Sequence, residues 1–361
     1  LRGYFPDAEI TFIGLPWAAD LIGRLPYIDR FVIFPGYEGI AEVPYQPERT
    51  QTFLADARAA GYDLAIQMHG NGTISNGFIA DLGARVSLGY RRGGDSRLTL
   101  SLPYRPAEHE VLRWLRLVGS LSRSEMSGRE GEIGEDQAPI DQLQSSTSLD
   151  FPIGEDEKVR AAQLLGVTVG APTVGLHPGA KDPARRWPTK HFAALADALV
   201  DRYGATIVLT GGVDECELTA AIVQAMSYPA LDLAGQTDLG LFGALISRLD
   251  LLVTNDSGPA HLAAATGTPS AVLFGPGRPD QWGPLDRQRH RVIDALALGG
   301  PGADPATALE RLTVEPVQAV CEDILESAAR RRQTADRDLL ASEVGRPLSV
   351  GDPHYSKEQK C

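Results

Sequence analysis

Leu251-Leu252-Val253-Thr254-Asn255-Asp256-Ser257-Gly258-Pro259-Ala260-His261 is the stretch that decides the reading of this chain. Leu251 to Thr254 is an unbroken apolar and β-branched run, the pattern of a strand buried on both faces in a parallel sheet. Pro259 suits the first turn of a helix, and Pro259 to Thr266 continues as one. Asp256-Ser257-Gly258 therefore lies at the carboxyl end of a strand and opens a helix. In open parallel sheets ligands bind beyond those strand ends. The helix dipole there is worth about half a positive charge, which together with the first N–H groups suits a diphosphate. Gly258 lets an anion approach the backbone, and Ser257 adds a hydroxyl donor. An isolated Asn-Asp-Ser-Gly more often only caps a helix through Asp256 or Ser257, so the neighbouring loops must decide.

Working outward, the same alternation repeats on both sides. Strands are expected at Thr173 to Leu176, Thr206 to Thr210, Leu231 to Leu233 and Ser270 to Phe274. Helices are expected at Lys190 to Tyr203, Glu215 to Met226, Leu239 to Arg248 and Val314 to Arg332. This is a doubly wound α/β sheet. Its strand ends carry His177-Pro178-Gly179-Ala180-Lys181, then Arg185-Arg186-Trp187-Pro188, Gly211-Gly212 with Glu215, and Gly275-Pro276-Gly277. Lys181 or Arg185 could supply mobile positive charge, and Glu215 could accept from ribose hydroxyls or simply cap its helix. His261, on the first turns of its helix, reads equally as a packing residue. Trp187 and Arg186 read as loop anchors or as site residues.

The first half, residues 1–121, alternates more loosely. Strands are expected at Glu9 to Gly14, Arg30 to Phe34, Tyr62 to Met68 and Arg85 to Gly89, with helices at Pro47 to Ala60, Asn76 to Leu82 and Ala107 to Leu121. Residues 122–150 lose periodicity and fill with Ser, Glu, Asp, Gln and Gly, which reads as a linker or disordered insertion. Residues 151–332 form the second unit, and 333–361 read as a disordered polar tail.

A formal charge of −13 argues against nucleic acid as a partner, since neutralising phosphates needs surplus Lys and Arg. Cys216, Cys321 and Cys361 form no C-x-x-C pair and suit a reducing, cytoplasmic setting. No apolar run approaches the roughly 20 residues that span a bilayer. Neither a G-x-x-x-x-G-K-[ST] loop nor a G-x-G-x-x-G turn is present. The D-x-D pair Asp336-Arg337-Asp338 falls in the expected tail, so no metal site is assigned.

Taken together, the loops resemble the donor half of glycosyltransferase family 9, the heptosyltransferase-like enzymes of the lipopolysaccharide inner core. The resemblance runs over about residues 170–285, through His177-Pro178-Gly179-Ala180, Arg185-Arg186-Trp187-Pro188, Glu215, Asp232-Leu233-Ala234-Gly235, Asn255 to His261, and Trp282-Gly283-Pro284. Phe5 to Ile10 and Tyr62 to Ile66 carry a looser likeness in the first half.

The resemblance implies a GT-B fold, two Rossmann-like units facing across a cleft, with the donor nucleotide in the second and the acceptor in the first, residues 1–121. It implies metal-independent inverting transfer from a nucleotide sugar, ADP-linked and with heptose as the sugar, to a lipid-linked or oligosaccharide acceptor. It requires no cofactor and allows peripheral contact with the inner face of the cytoplasmic membrane. By position, Arg185 matches the basic residue on the diphosphate, which is usually Lys. Glu215 matches the residue facing the adenosine ribose, and Asp256, Ser257, Gly258 and His261 match the donor loop. The family's proposed general base belongs to a strand and loop expected upstream of Leu1, and His69, at a strand end, is the substitute that the first half offers. Two other readings stay open: a noncatalytic nucleotide-sugar-binding scaffold and a GT-B epimerase.

Overall fold

A computed structural model describes residues 1–93, 97–121, 131–132, 147–166 and 170–344. The first half is built from parallel pairs. β1 (Thr11–Gly14) leads through α1 (Ala18–Gly23) to β2 (Arg30–Ile33), and these two pair with each other. The chain continues through α2 (Pro47–Ala60), β3 (Leu64–Ile66), α3 (Ser75–Asp81), β4 (Val86–Arg91), β5 (Leu100–Pro103) and α4 (Glu110–Gly119). β3, β4, β5 and β6 (Gly131–Glu132) form a separate parallel sheet in that order. Phe34, Leu54, Ala57, Ala65 and Phe78 form one core beneath β2, α2, β3 and α3, so the two sheets belong to one packed unit.

Several expected boundaries move. The run Tyr62 to Met68 forms a strand only over Leu64–Ile66, and Ala107 to Leu121 is helical over Glu110–Gly119. β5 was not expected, because Leu100-Ser101-Leu102-Pro103 is short and ends on proline. Within the expected linker, Gly131–Glu132 pairs with Leu100–Ser101, while 122–130 and 133–146 lie outside the described residues.

The second half is more regular. α5 (Glu155–Leu165) precedes β7 (Thr173–His177), α6 (Thr189–Tyr203), β8 (Thr206–Leu209), α7 (Cys216–Ala225) and β9 (Leu231–Asp232). Then follow α8 (Leu239–Ile246), β10 (Leu251–Asn255), α9 (Gly258–Thr266), β11 (Ser270–Phe274) and β12 (His290–Asp294). All six strands are parallel, in the order β12-β11-β10-β7-β8-β9. The chain winds outward from β7 in one direction and from β10 in the other, so the switch point lies between those two strands. Alternation divides the core. Leu251 and Val253 join Val174, Leu176, Phe192, Leu195 and Leu199 on one face, while Leu252 and Val208 meet Leu241, Leu245 and Ala161 on the other. The last helix, α10 (Val314–Val344), seats Val317, Cys321, Ile324 and Leu325 in the first of these cores. It runs beyond the expected Arg332 end, since Gln333 to Val344 has no Gly or Pro and includes the helix formers Ala335, Arg337, Leu339, Leu340, Ala341 and Glu343. Residues 345–361 lie outside the description.

The switch point is tied by a single amide. Asn255, wholly buried at the end of β10, accepts the Trp187 N–H at 3.1 Å and donates to the Pro178 carbonyl at 2.8 Å. It thereby joins the loop after β7, the approach to α6 and the turn into α9. Trp187, 1% exposed, is held again by its indole N–H, which donates to Leu312 O at 2.8 Å.

Asn255→Ala strands a buried carbonyl and a buried N–H and should cost about 2–3 kcal/mol in urea unfolding at pH 7. A change of less than about 0.5 kcal/mol would show that both groups find other partners. The second prediction concerns His290, buried in β12 with its Nδ1 2.9 Å from Ser270 Oγ. Burial pushes its pKa down to about 4, against the pull of Asp286. The unfolded chain takes up this proton near pH 6.5, so the folded state loses stability as pH falls from there through about 4. His290→Gln should remove about 1–3 kcal/mol of the difference in unfolding free energy between pH 7 and pH 4. An undiminished difference would contradict that assignment.

Candidate functional site

The carboxyl ends of β7, β8, β10 and β11 lie along one edge of the parallel sheet, and the second-half residues singled out in the sequence lie there. Arg185 ends a short turn of 3-10 helix, Pro183–Arg185, which Asp182 caps by accepting the Ala184 N–H at 3.0 Å. Its Nη1 donates to Asp256 Oδ2 at 3.2 Å. Its Nε is buried and has no partner among the described residues. Arg186 turns the other way, its Nε donating to Ala180 O at 2.8 Å, and so braces the loop. Lys181 is exposed at the lip of the same loop.

Ser257 occupies the cap position of α9 with extended backbone, φ −156°, yet its side chain makes no cap bond. Asp256 turns its carboxylate to Arg185. The helix terminus is thus not closed over by its own capping side chain, and a Cβ placed on Gly258 would meet no atom within 4 Å. The backbone at Gly258 is open to an approaching group. Asp256 itself is nearly buried, and burial raises its pKa above the usual carboxylate range although Arg185 and His261 oppose the rise. A Cβ on Gly277 would come within 2.2 Å of Asp256 Oδ2, so the absence of a side chain there is what admits the carboxylate. Burial holds His261 below the ordinary imidazole range, against the attraction of Asp256 and with a contribution from His109.

Glu215 precedes α7 and reaches back, Oε2 accepting the Gly212 N–H at 2.8 Å. Its Oε1 lies directly over Gly179, where a Cβ would approach to 1.8 Å. His177, at the end of β7, stands 3.5 Å from Glu215 Oε2 and 3.1 Å from Thr210 Oγ1. Burial lowers the His177 pKa more than Glu215 restores it, so the ring is neutral.

In the first half His69 sits beyond β3, 59% exposed, with Nε2 3.3 Å from Glu42 Oε1. It belongs to a different loop cluster from Arg185 and Asp256. Three features escaped the sequence reading: the Asn255 amide, the Glu42 partner of His69, and His109. His109 caps α4 and meets Gly283 O at 2.7 Å across a sequence separation of 174 residues. Asn255 and Gly283 both stood within quoted motifs, but only the folded chain shows what they touch.

Comparison with known proteins follows the same lines. The pattern of glycosyltransferase family 9 (heptosyltransferase) matches residues 53–297. The chain is 29% identical over 312 residues to lipooligosaccharide heptosyltransferase 2 of Haemophilus ducreyi, covering 83% of each protein. It is 28% identical over 304 residues to lipopolysaccharide heptosyltransferase 2 of Escherichia coli, covering 81% of each. The solved structure of the E. coli ADP-heptose lps heptosyltransferase II superposes with a TM-score of 0.66 at 24% identity, over 91% of this chain and 92% of that one. A glycosyl transferase family 9 structure from Veillonella parvula gives 0.70 at 20% identity, over 90% and 91%. The shared fold is GT-B, two parallel-sheet units facing across a cleft. With the family pattern spanning more than half of its length, the chain belongs to glycosyltransferase family 9.

Proposed function

We propose that this protein is an inverting heptosyltransferase that takes heptose from an ADP-linked donor and passes it to a sugar of the lipopolysaccharide inner core. The observation that carries the reading is the open terminus of α9 beside a half-satisfied Arg185, within a chain whose relatives are lipopolysaccharide and lipooligosaccharide heptosyltransferases.

In this reading the diphosphate lies against the backbone of Ser257 and Gly258. There it accepts from helix N–H groups, from Ser257 Oγ and from the unused donors of Arg185, while Lys181 adds charge from the rim. Glu215 Oε1, over Gly179, faces the ribose, and His261 lies toward the sugar. As an acceptor hydroxyl attacks the anomeric carbon, the bond to the diphosphate breaks and negative charge builds on the leaving oxygen. Preorganised donors at that oxygen lower the barrier most, because they need no rearrangement as charge develops. Cationic side chains and a helix terminus can meet this need without a divalent ion. Among the described residues no helix is long and apolar enough to cross a membrane, so contact with a lipid-linked acceptor is proposed as peripheral.

Calorimetry with ADP, UDP and GDP tests the donor. ADP should bind, and Arg185→Ala should weaken it by about 1.5–3 kcal/mol, with Arg186→Ala weaker in effect. Gly258→Ala should leave the melting temperature unchanged, because space is open there, yet lower ADP affinity by about tenfold as the new methyl holds the phosphate off. Tight UDP or GDP binding with none for ADP would overturn the adenosine assignment. Transfer from ADP-heptose should persist in excess EDTA. Loss of activity that magnesium restores would overturn the metal-independent reading.

A further inference from the structure

Among the described residues the two halves touch on the linker side and on the cleft side. On the linker side Arg24, just after α1, places Nη1 2.8 Å from Glu157 Oε1 of α5 and packs over the Phe151 ring at 5.5 Å. Asp20 adds a second carboxylate at 3.2 Å from Arg24 Nη2. On the cleft side the segment Pro106 to Glu110 meets the segment Arg278 to Gly283. Arg278 Nη1 to Pro106 O and Gln281 Nε2 to Glu110 Oε1 are long contacts, each 3.4 Å. His109 to Gly283 is short, at 2.7 Å, and the ring is buried.

The chemistry of that ring is fully specified. His109 Nδ1 accepts the Val111 N–H at 3.2 Å and so caps α4, which leaves the ring proton on Nε2. Nε2 therefore donates to Gly283 O. The neutral Nε2–H tautomer is the one form that makes both bonds. Burial favours that form, Arg287 and Arg113 assist, and the Gly283 carbonyl and Asp280 oppose. The segment that His109 meets follows Gly277, which lies against Asp256 of the donor loop, and His109 helps to hold the His261 pKa down.

We propose that the His109 to Gly283 hydrogen bond is the latch that sets the acceptor half over the donor loop, making His109 a positioning residue for sugar transfer. The proposal rests on the transferase reading. Gly283 caps the short helix Pro279–Trp282, its N–H donating to Pro279 O, so its carbonyl is presented from the end of that turn. One end of the bond is fixed by α4 and the other by this turn. Losing it leaves the two long contacts of Arg278 and Gln281 on the cleft side, while the Arg24 to Glu157 contact still joins the halves on the other. The acceptor hydroxyl would then be placed less accurately, and displacement by about 1 Å commonly costs on the order of a hundredfold in rate.

Two substitutions separate the latch from the cap. His109→Asn keeps an acceptor at the Nδ1 position for Val111 but reaches too short for Gly283. His109→Gln places an amide N–H near the Nε2 position and gives up the cap. The expected result for His109→Asn is a kcat lower by ten- to a hundredfold with ADP affinity within about twofold of the parent. His109→Gln should recover most of the rate while melting lower. Fluorescence energy transfer between labels on the two halves, without substrate, should show a longer or broader separation for Asn and a parental one for Gln. Equal losses in both variants, or parental rate and separation in His109→Asn, would overturn the proposal. The labelled readout needs no donor, so it stands apart from a failure of the donor assignment, which would appear as no turnover by the parent protein.

Discussion

Everything in the candidate site hangs on the buried Asn255 amide. A parallel sheet that winds both ways must leave a crevice between its two starting strands, and the loops on either side diverge from it. Here the Asn255 side chain crosses the crevice, accepting from the approach to α6 and donating to the loop after β7. Because both bonds are buried, each loop is held at the distance that a single amide spans. Arg185 and Asp256 flank Trp187 and Asn255 in sequence, so fixing those two backbones fixes the pair. The glycines around the tie serve the same end. Gly277 admits the Asp256 carboxylate, and Gly179 admits Glu215.

How much of this was legible in the sequence depends on how local its cause is. β10 and α9 were readable because an apolar run, a turn and a helix-compatible proline follow one another directly. β11 appears with the expected Ser270 and Phe274 ends. β12 was not expected, since His290-Arg291-Val292-Ile293-Asp294 shows little apolar pattern and becomes a strand through register with β11. α5 was also missed, for Glu155 to Leu165 is acidic at its start and buries Ala161 alone. The first half was harder to read because its strands are short and its sheet is divided between β1–β2 and β3–β6.

The same distinction holds for the site. Residue types and order at the strand ends could be read, and the resemblance to a family rested on them. Direction could not. Arg185 and Arg186 are neighbours of identical chemistry, and the turn Pro183–Arg185 decides that one meets Asp256 while the other braces Ala180. Likewise Asp256 and Ser257 were both plausible helix caps, and the folded chain uses neither side chain in that way. The capping alternative loses here because Asp256 has a stronger partner in Arg185, and Ser257 Oγ lies 3.4 Å from Asn255 O instead.

That choice bears on why an arginine suits position 185, where the family resemblance implies a lysine. A guanidinium carries five N–H donors in a fixed plane, whereas an ammonium is a compact charge without preferred orientation. Asp256 engages Nη1 alone, so it orients the plane without exhausting it, and Nε stays buried with no partner among the described residues. An anion arriving at the α9 terminus can take the remaining donors while Asp256 keeps its own. The carboxylate is itself close to that anion and would repel it. Its burial already raises its pKa, and Arg185 offsets its charge. The arrangement thus holds a cation ready beside an open helix terminus, with the opposing charge spent on aiming it.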